Sequence, residues 1–161
     1  MIKEFLKKYK SYLVSVTIAL GVGGLSTLLT MKNMDMFDII KKPPLSPPAW
    51  LFPIVWTVLY ILMGISAAII YEKRNVSPER VREALTTYAS SLIVNFAWSI
   101  IFFNLQAFFI ALIWLLLLLF LVILTVIKYY FIDKKAAFLQ IPYTIWVTFA
   151  AYLTAAITLL N

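Results

Sequence analysis

The chain has 161 residues, of which 63% are hydrophobic and 13% charged, with a mean hydropathy of +0.94. A soluble domain carries roughly 45–50% apolar and about 25% charged residues, so that class is excluded. Cysteine and histidine are both absent, which removes disulfides, thiol chemistry, zinc or haem ligation by these residues and every imidazole base. The formal charge of +7 comes from Lys and Arg at the ends of apolar runs rather than from a basic face, so nucleic acid is not an expected partner.

Charges cluster at 3–10, 32–42, 72–83 and 128–135, leaving uncharged runs at 11–31, 43–71, 84–127 and 136–161. A membrane-spanning helix needs about 20 mostly apolar residues. The 84–127 run is too long for one helix, and its only polar break, Asn104-Leu105-Gln106, marks a tight turn. The expected fold class is therefore an all-α integral membrane protein. It is a five-transmembrane-helix bundle in a single domain over 1–161, with helices at about 11–31, 47–71, 78–104, 107–130 and 136–160.

The first helix follows a Lys-rich start. Its apolar stretch at 12–30 exceeds a signal-peptide core and no A-x-A site follows, so it is expected to be retained. Ala19, Gly23 and Thr27 recur at four-residue spacing beside Gly21 and Gly24. That pattern lets helix backbones approach closely, either within the chain or across a homodimer seam. The first loop contains KKPPLSPPAW at 41–50, which cannot be helical and should be an ordered extended or turn segment. Ser46 as N-cap with Pro47 after it, and Ser77 with Pro78, are the expected starts of the second and third helices. The fourth helix should face lipid, and Pro142 should kink the fifth.

The N-terminal tail (Lys3, Lys7, Lys8, Lys10), the second loop (Lys73, Arg74, Arg80, Arg82) and the fourth (Lys128, Lys134, Lys135) hold most of the basic residues. The opposite side holds only Lys32, Lys41 and Lys42. The positive-inside bias then puts the N-terminus in the cytoplasm, and a bacterial cell membrane is the expected location. All seven carboxylates also lie outside the apolar runs. Proton-coupled transport, which depends on buried ionisable groups, is disfavoured.

Inside the spans the polar chemistry is aromatic and neutral. Asn95 and Ser99 share a face of the third helix with Trp98 beside them. Tyr143, Trp146 and Ala150 share a face of the fifth, and Trp56 and Tyr60 stack on the second below Trp50. If these faces converge, they form an apolar cavity suited to a flat hydrophobic ligand. The alternative is plain helix packing, with Trp50 and Trp114 as interfacial anchors.

Three segments, KPPLSPPAWLFPIVWTVLYILMG, NFAWSIIFF and PYTIWVTFAAYL, resemble in order the TspO/MBR family of tryptophan-rich sensory and translocator proteins. The resemblance covers nearly the whole chain. It implies a five-helix bundle, often dimeric, with a cavity beneath the first loop that takes porphyrins, sterol-like molecules and drugs. By position it implies ligand-binding roles for Phe37, Pro47, Pro48, Trp50, Trp56, Asn95, Trp98, Ser99, Tyr143, Trp146, Phe149 and Ala150. The tryptophans matching Trp56 and Trp146 are those implicated in light-dependent porphyrin breakdown, and so would be catalytic in an enzyme.

The chain departs from the family at Met36-Phe37, where Trp-Tyr is common, at Pro53-Ile54 in place of Gly-Pro, and at Thr154 in place of asparagine. The family's sterol motif follows the fifth helix, and no Lys or Arg lies beyond Lys135; Val126, Tyr129 and Lys134 match the pattern elsewhere. Three functions are implied. The first is a receptor binding protoporphyrin IX or other planar hydrophobic molecules between helices 1, 2, 3 and 5; the others are a light-dependent porphyrin-degrading enzyme and a passive tetrapyrrole or sterol translocator. The expected partners are that small molecule, the lipid bilayer and a second copy, with no cofactor and no metal.

Overall fold

The computed structural model describes residues 2–161. In lipid a chain must satisfy its backbone hydrogen bonds within itself, and this apolar sequence does so with helices. In chain order these are α1 (Ile2–Thr30), a short α2 (Met36–Ile39) in the first loop, α3 (Leu51–Glu72), α4 (Pro78–Ser99), α5 (Phe108–Tyr130) and α6 (Lys134–Leu160). A wider π turn over Ile100–Asn104 prolongs α4. Five spans, Tyr9–Asn33, Leu51–Glu72, Pro78–Asn104, Phe108–Tyr130 and Lys134–Leu160, are long and apolar enough to cross a membrane.

Several boundaries differ from the sequence reading for local reasons. α1 begins at Ile2 because the Lys- and Glu-containing start is itself a good helix former. It is tied to α3 by the Ser11 hydroxyl, which donates to the Glu72 carboxylate. α3 begins at Leu51, not at Pro47. Pro48 keeps Pro47 out of helical conformation and neither proline has an N–H, so the first turn closes only when Leu51 N donates to Pro48 O at 3.0 Å. Ser46, expected as the cap, instead donates to Pro43 O at 2.8 Å, beside Leu45 at φ +69°. Ser77 is the N-cap residue of α4 with Pro78 directly after it. Asp133 caps α6 by accepting from Lys135 N and Ala136 N, which starts that helix two residues before the expected position.

Around the bundle α1 packs on α3, α3 on α6, α6 on α5 and α5 on α4, while α4 closes more lightly on α1. Gly64 lets α3 lie against α1, since a Cβ there would overlap the Val16 backbone. Gly23 likewise accepts the ring of Tyr60, whereas a Cβ at Gly21 or Gly24 would meet nothing. The small-residue stripe of α1 is therefore consumed within the chain at Ala19 and Gly23 and left open at its other glycines. On α5 one face, including Leu115, Leu118 and Val122, is buried, while Phe109, Ile113 and Phe120 point outward. Trp114 is more than an anchor, because its indole N–H donates to Val94 O at 2.9 Å.

The two ends of the bundle are tied differently. Lys73 pairs with Asp133 at 3.5 Å, joining the α3–α4 and α5–α6 turns. At the other end the first loop is held by amides: Asn161 Nδ2 donates to Lys41 O at 2.9 Å, and Lys41 N donates back to Asn161 Oδ1 at 3.1 Å. Asn33 Nδ2 donates to Asn104 Oδ1 at 2.8 Å, and Asn104 Nδ2 to Leu29 O at 3.0 Å.

Candidate functional site

Beneath the first loop, between α1, α3, α4 and α6, lies a cavity of about 560 Å³. Small-molecule sites range over roughly 300–1,000 Å³. The cavity follows from helix periodicity. On α4 and the π turn that prolongs it, Asn95, Trp98, Ser99 and Phe102 recur at three- and four-residue spacing and all face inward. On α3, Trp56 and Tyr60 do the same one turn apart. The far half of α6 adds Ala150, Leu153, Thr154 and Ile157, and α1 adds its small residues from Gly23 to Thr27.

The floor is polar but self-satisfied. Asn95 Nδ2 donates to the Tyr60 hydroxyl at 3.1 Å, with both side chains buried. Above it the walls are aromatic. Trp56 lies 5.6 Å from Tyr60 and edge-on to Tyr143 at 6.2 Å, and Trp98 lies 5.4 Å from Phe102. The roof comes from Met34, Phe37 and Ala49 of the first loop, with the Phe37 ring edge-on to Phe52 at 5.1 Å. The wall hydroxyls donate back into their own helices: Thr27 to Gly23 O at 3.0 Å, Thr57 to Pro53 O at 2.7 Å and Ser99 to Asn95 O at 3.5 Å. None of the lining residues is Lys, Arg, Asp or Glu. Such a chamber attracts a large apolar body, offers hydroxyl lone pairs at its walls and holds no ionised acid, base or nucleophile.

Six of the residues singled out from the sequence line this cavity: Phe37, Trp56, Asn95, Trp98, Ser99 and Ala150. The other six do not. Tyr143 is buried outside the lining, and the Trp146 ring lies 5.9 Å from that of Phe52. Each instead packs edge-on against a lining residue of α3, Tyr143 against Trp56 and Trp146 against Phe52. Phe149 is turned about 100° from Ala150 on the helix and stacks on Tyr152 along an outer groove of α6. Trp50 is 66% exposed at the start of α3, and Pro47 and Pro48 shape the loop without bordering the cavity.

Among the lining residues the sequence reading missed are Phe52, Thr57, Ser26 and Thr30 of α1, Met34 and Ala49 of the first loop, and the far end of α6. Leu153, Thr154 and Ile157 stand three, four and seven residues beyond Ala150, so helical spacing from that one position would have found them. Thr154, noted as a departure from the family, is among them.

Residues 13–160 match the TspO/MBR family. The "Tryptophan-rich protein TspO" of Chlorobaculum tepidum is 33% identical over 151 residues, covering 92% of each chain. A protein of the same name from Archaeoglobus fulgidus is 36% identical over 148 residues, covering 91% of this chain and 94% of the other. The "Translocator protein" of Sus scrofa is 30% identical over 142 residues, covering 87% and 84% respectively.

Proposed function

The chain belongs to the TspO/MBR family of integral membrane proteins, and from that premise we propose that it is a membrane receptor for porphyrins and similar planar hydrophobic molecules, bound in the cavity under the first loop. The observation that carries this reading is the lining: a cavity of about 560 Å³ walled by Trp56, Trp98, Phe102 and Phe37, with no ionised side chain. A flat ring system buries its faces against such walls and needs no charged partner within them.

The test is a dark titration of the detergent-solubilised protein with protoporphyrin IX, followed by the shift of the porphyrin Soret band. Saturable binding is expected, weakened roughly five-fold in Trp56→Ala, which corresponds to about 1 kcal/mol of lost aromatic contact. Asn95→Ala should weaken it as well, because the floor loses the partner of Tyr60. Equal affinity in all three proteins would remove the cavity as the site.

A second reading, light-dependent breakdown of the bound porphyrin, is favoured at one position only. Trp56 borders the cavity beside Tyr60, while Trp146 does not border it and packs edge-on to Phe52. Under illumination, product formation that is slowed by Trp56→Phe and indifferent to Trp146→Phe would support this reading. Formation at the same rate without protein would reject it.

A further inference from the structure

The end of the bundle away from the cavity is strongly basic. The start of α1, the α3–α4 turn and the α5–α6 turn, with the helix ends they join, carry eleven Lys and Arg residues against five carboxylates, Glu4, Glu72, Glu79, Glu83 and Asp133. Among the described cations of this end all but one are exposed. Lys73 pairs with Asp133 at 3.5 Å, Arg74 lies over the Tyr71 ring at 4.1 Å and Lys134 over the Tyr130 ring at 5.3 Å. Such side chains are solvated or already matched, and they supply a diffuse positive field rather than a site.

Lys128 is the exception. It stands in the last turn of α5, half-buried, and its ammonium donates to the Thr87 hydroxyl of α4 at 3.0 Å. Thr87 is itself buried and donates in turn to Glu83 O at 3.0 Å. An ammonium has three donors, and the hydrogen bond it makes among the described residues meets a neutral oxygen. Nor does any carboxylate of those residues lie within ion-pair distance of it. A cation drawn from water without a counter-charge is costly, so the seam between α4 and α5 ends in an unmatched positive charge. The surface leading from it is apolar. Leu124, Leu121 and Leu117 precede Lys128 at three- and four-residue spacing on α5, and Leu117 is 42% exposed. The Trp114 indole N–H, which donates to Val94 O, fixes this side of α5 along α4. One cation at the mouth of a seam, with a strip of leucines running from it into the membrane, matches an anionic phosphate carried on an acyl chain.

We propose that this end of the α4–α5 seam is a binding site for an anionic phospholipid, whose phosphate pairs with Lys128 and whose acyl chain lies along Leu124, Leu121 and Leu117. Charge complementarity decides the occupant: a zwitterionic headgroup carries its own cation, and a free phosphate has nothing to lay on the leucines. Glu83, one turn before Thr87 on the same side of α4, is exposed and is the internal competitor for the ammonium. The site lies at the opposite end of the bundle from the cavity and does not depend on the receptor reading.

The experiment follows thermal unfolding of the purified protein in a neutral detergent as dioleoylphosphatidylglycerol, dioleoylphosphatidylcholine or inorganic phosphate is added. A ligand that binds only the folded state raises the midpoint according to its affinity. The unchanged protein is compared with Lys128→Gln, Lys128→Arg and Glu83→Gln, and with Lys135→Gln and Glu79→Gln as exposed controls of matched charge, each against its own lipid-free midpoint. The anionic lipid is expected to raise the midpoint saturably, and phosphatidylcholine and phosphate are not. Lys128→Gln should weaken the apparent affinity for the anionic lipid about five-fold, the effect of one cation near a membrane surface. Lys128→Arg and Lys135→Gln should retain it, and Glu83→Gln should strengthen it more than Glu79→Gln does. An equal loss in Lys128→Gln and Lys135→Gln would leave only a diffuse field and overturn the site. An increment equal for the two lipids, or reproduced by inorganic phosphate, would overturn it too, as would one set by protein concentration rather than lipid, which would place a second copy on the seam. Should Lys128→Gln not fold, the glutamate pair decides: an equal gain in Glu83→Gln and Glu79→Gln overturns the proposal.

Discussion

Gly64 governs how near α1 and α3 can come, because the Val16 backbone occupies the space a Cβ would need. With backbone on the far side, a larger residue cannot be absorbed by one rotamer change. Gly64→Val is expected to destabilise the protein by about 1–3 kcal/mol, the usual penalty of overpacking a filled interior. Thermal unfolding in detergent measures this, and an unaltered midpoint would contradict so close a helix pair. Gly23 differs in kind, since what it meets is the Tyr60 side chain. Tyr60 in turn is fixed by Asn95 and stacked near Trp56, so one glycine, one amide and two aromatics set the depth of the cavity floor. The sequence supplied the residue types and the spacing of Trp56, Tyr60 and Asn95. It could not show that Phe52 would line the cavity and Trp146 would not, because that depends on where α3 lies against α6.

At the scale of elements, the first loop is the part whose sequence says most about what it is not. Its prolines exclude helix over 41–50, and the chain there is irregular. Its position is set by distant partners: Asn161 grips Lys41 through both amide atoms, and the Tyr152 hydroxyl donates to Pro44 O at 3.1 Å. These contacts are exposed hydrogen bonds, each contributing about 0.5–1.5 kcal/mol. If ligand enters beneath the loop, Asn161→Ala combined with Tyr152→Phe should speed porphyrin association and dissociation together, several-fold each, with a smaller change in affinity. Stopped-flow mixing reads both rates, and rates equal to those of the unchanged protein would place the entry route elsewhere. A second inter-element tie lies deep in the bundle, where Ser66 donates to Ala136 O at 2.7 Å and Gln140 Nε2 donates to Ser66 at 3.3 Å. Neither residue stands out in sequence, since an isolated Ser or Gln in an apolar run does not announce its partner.

For the whole molecule, the described residues hold five spans, an odd number, so the start of α1 and the end of α6 are expected on opposite sides of a membrane. Lys and Arg are concentrated at the end that holds the N-terminus, the α3–α4 turn and the α5–α6 turn. By the positive-inside bias that end is expected in the cytoplasm, which puts the first loop and its Lys42 on the far side. A reporter active only in the cytoplasm, fused after Asn161, should be silent; an active one would invert the molecule and the side from which ligand arrives. The membrane class and the five spans were legible along the chain because hydropathy and charge are one-dimensional properties, and lipid leaves a long apolar run few alternatives to a helix. So were the inward faces of α3 and α4, through their helical spacing. The neighbour order around the bundle, the absence of Tyr143 and Trp146 from the cavity lining, the outward turn of Phe149 and the seat of Lys42 over Phe37 were not. Each depends on how helices distant in sequence rotate and approach one another, and that is settled by the mutual packing of side chains, such as Tyr60 on Gly23 and Val16 on Gly64, which no single segment encodes.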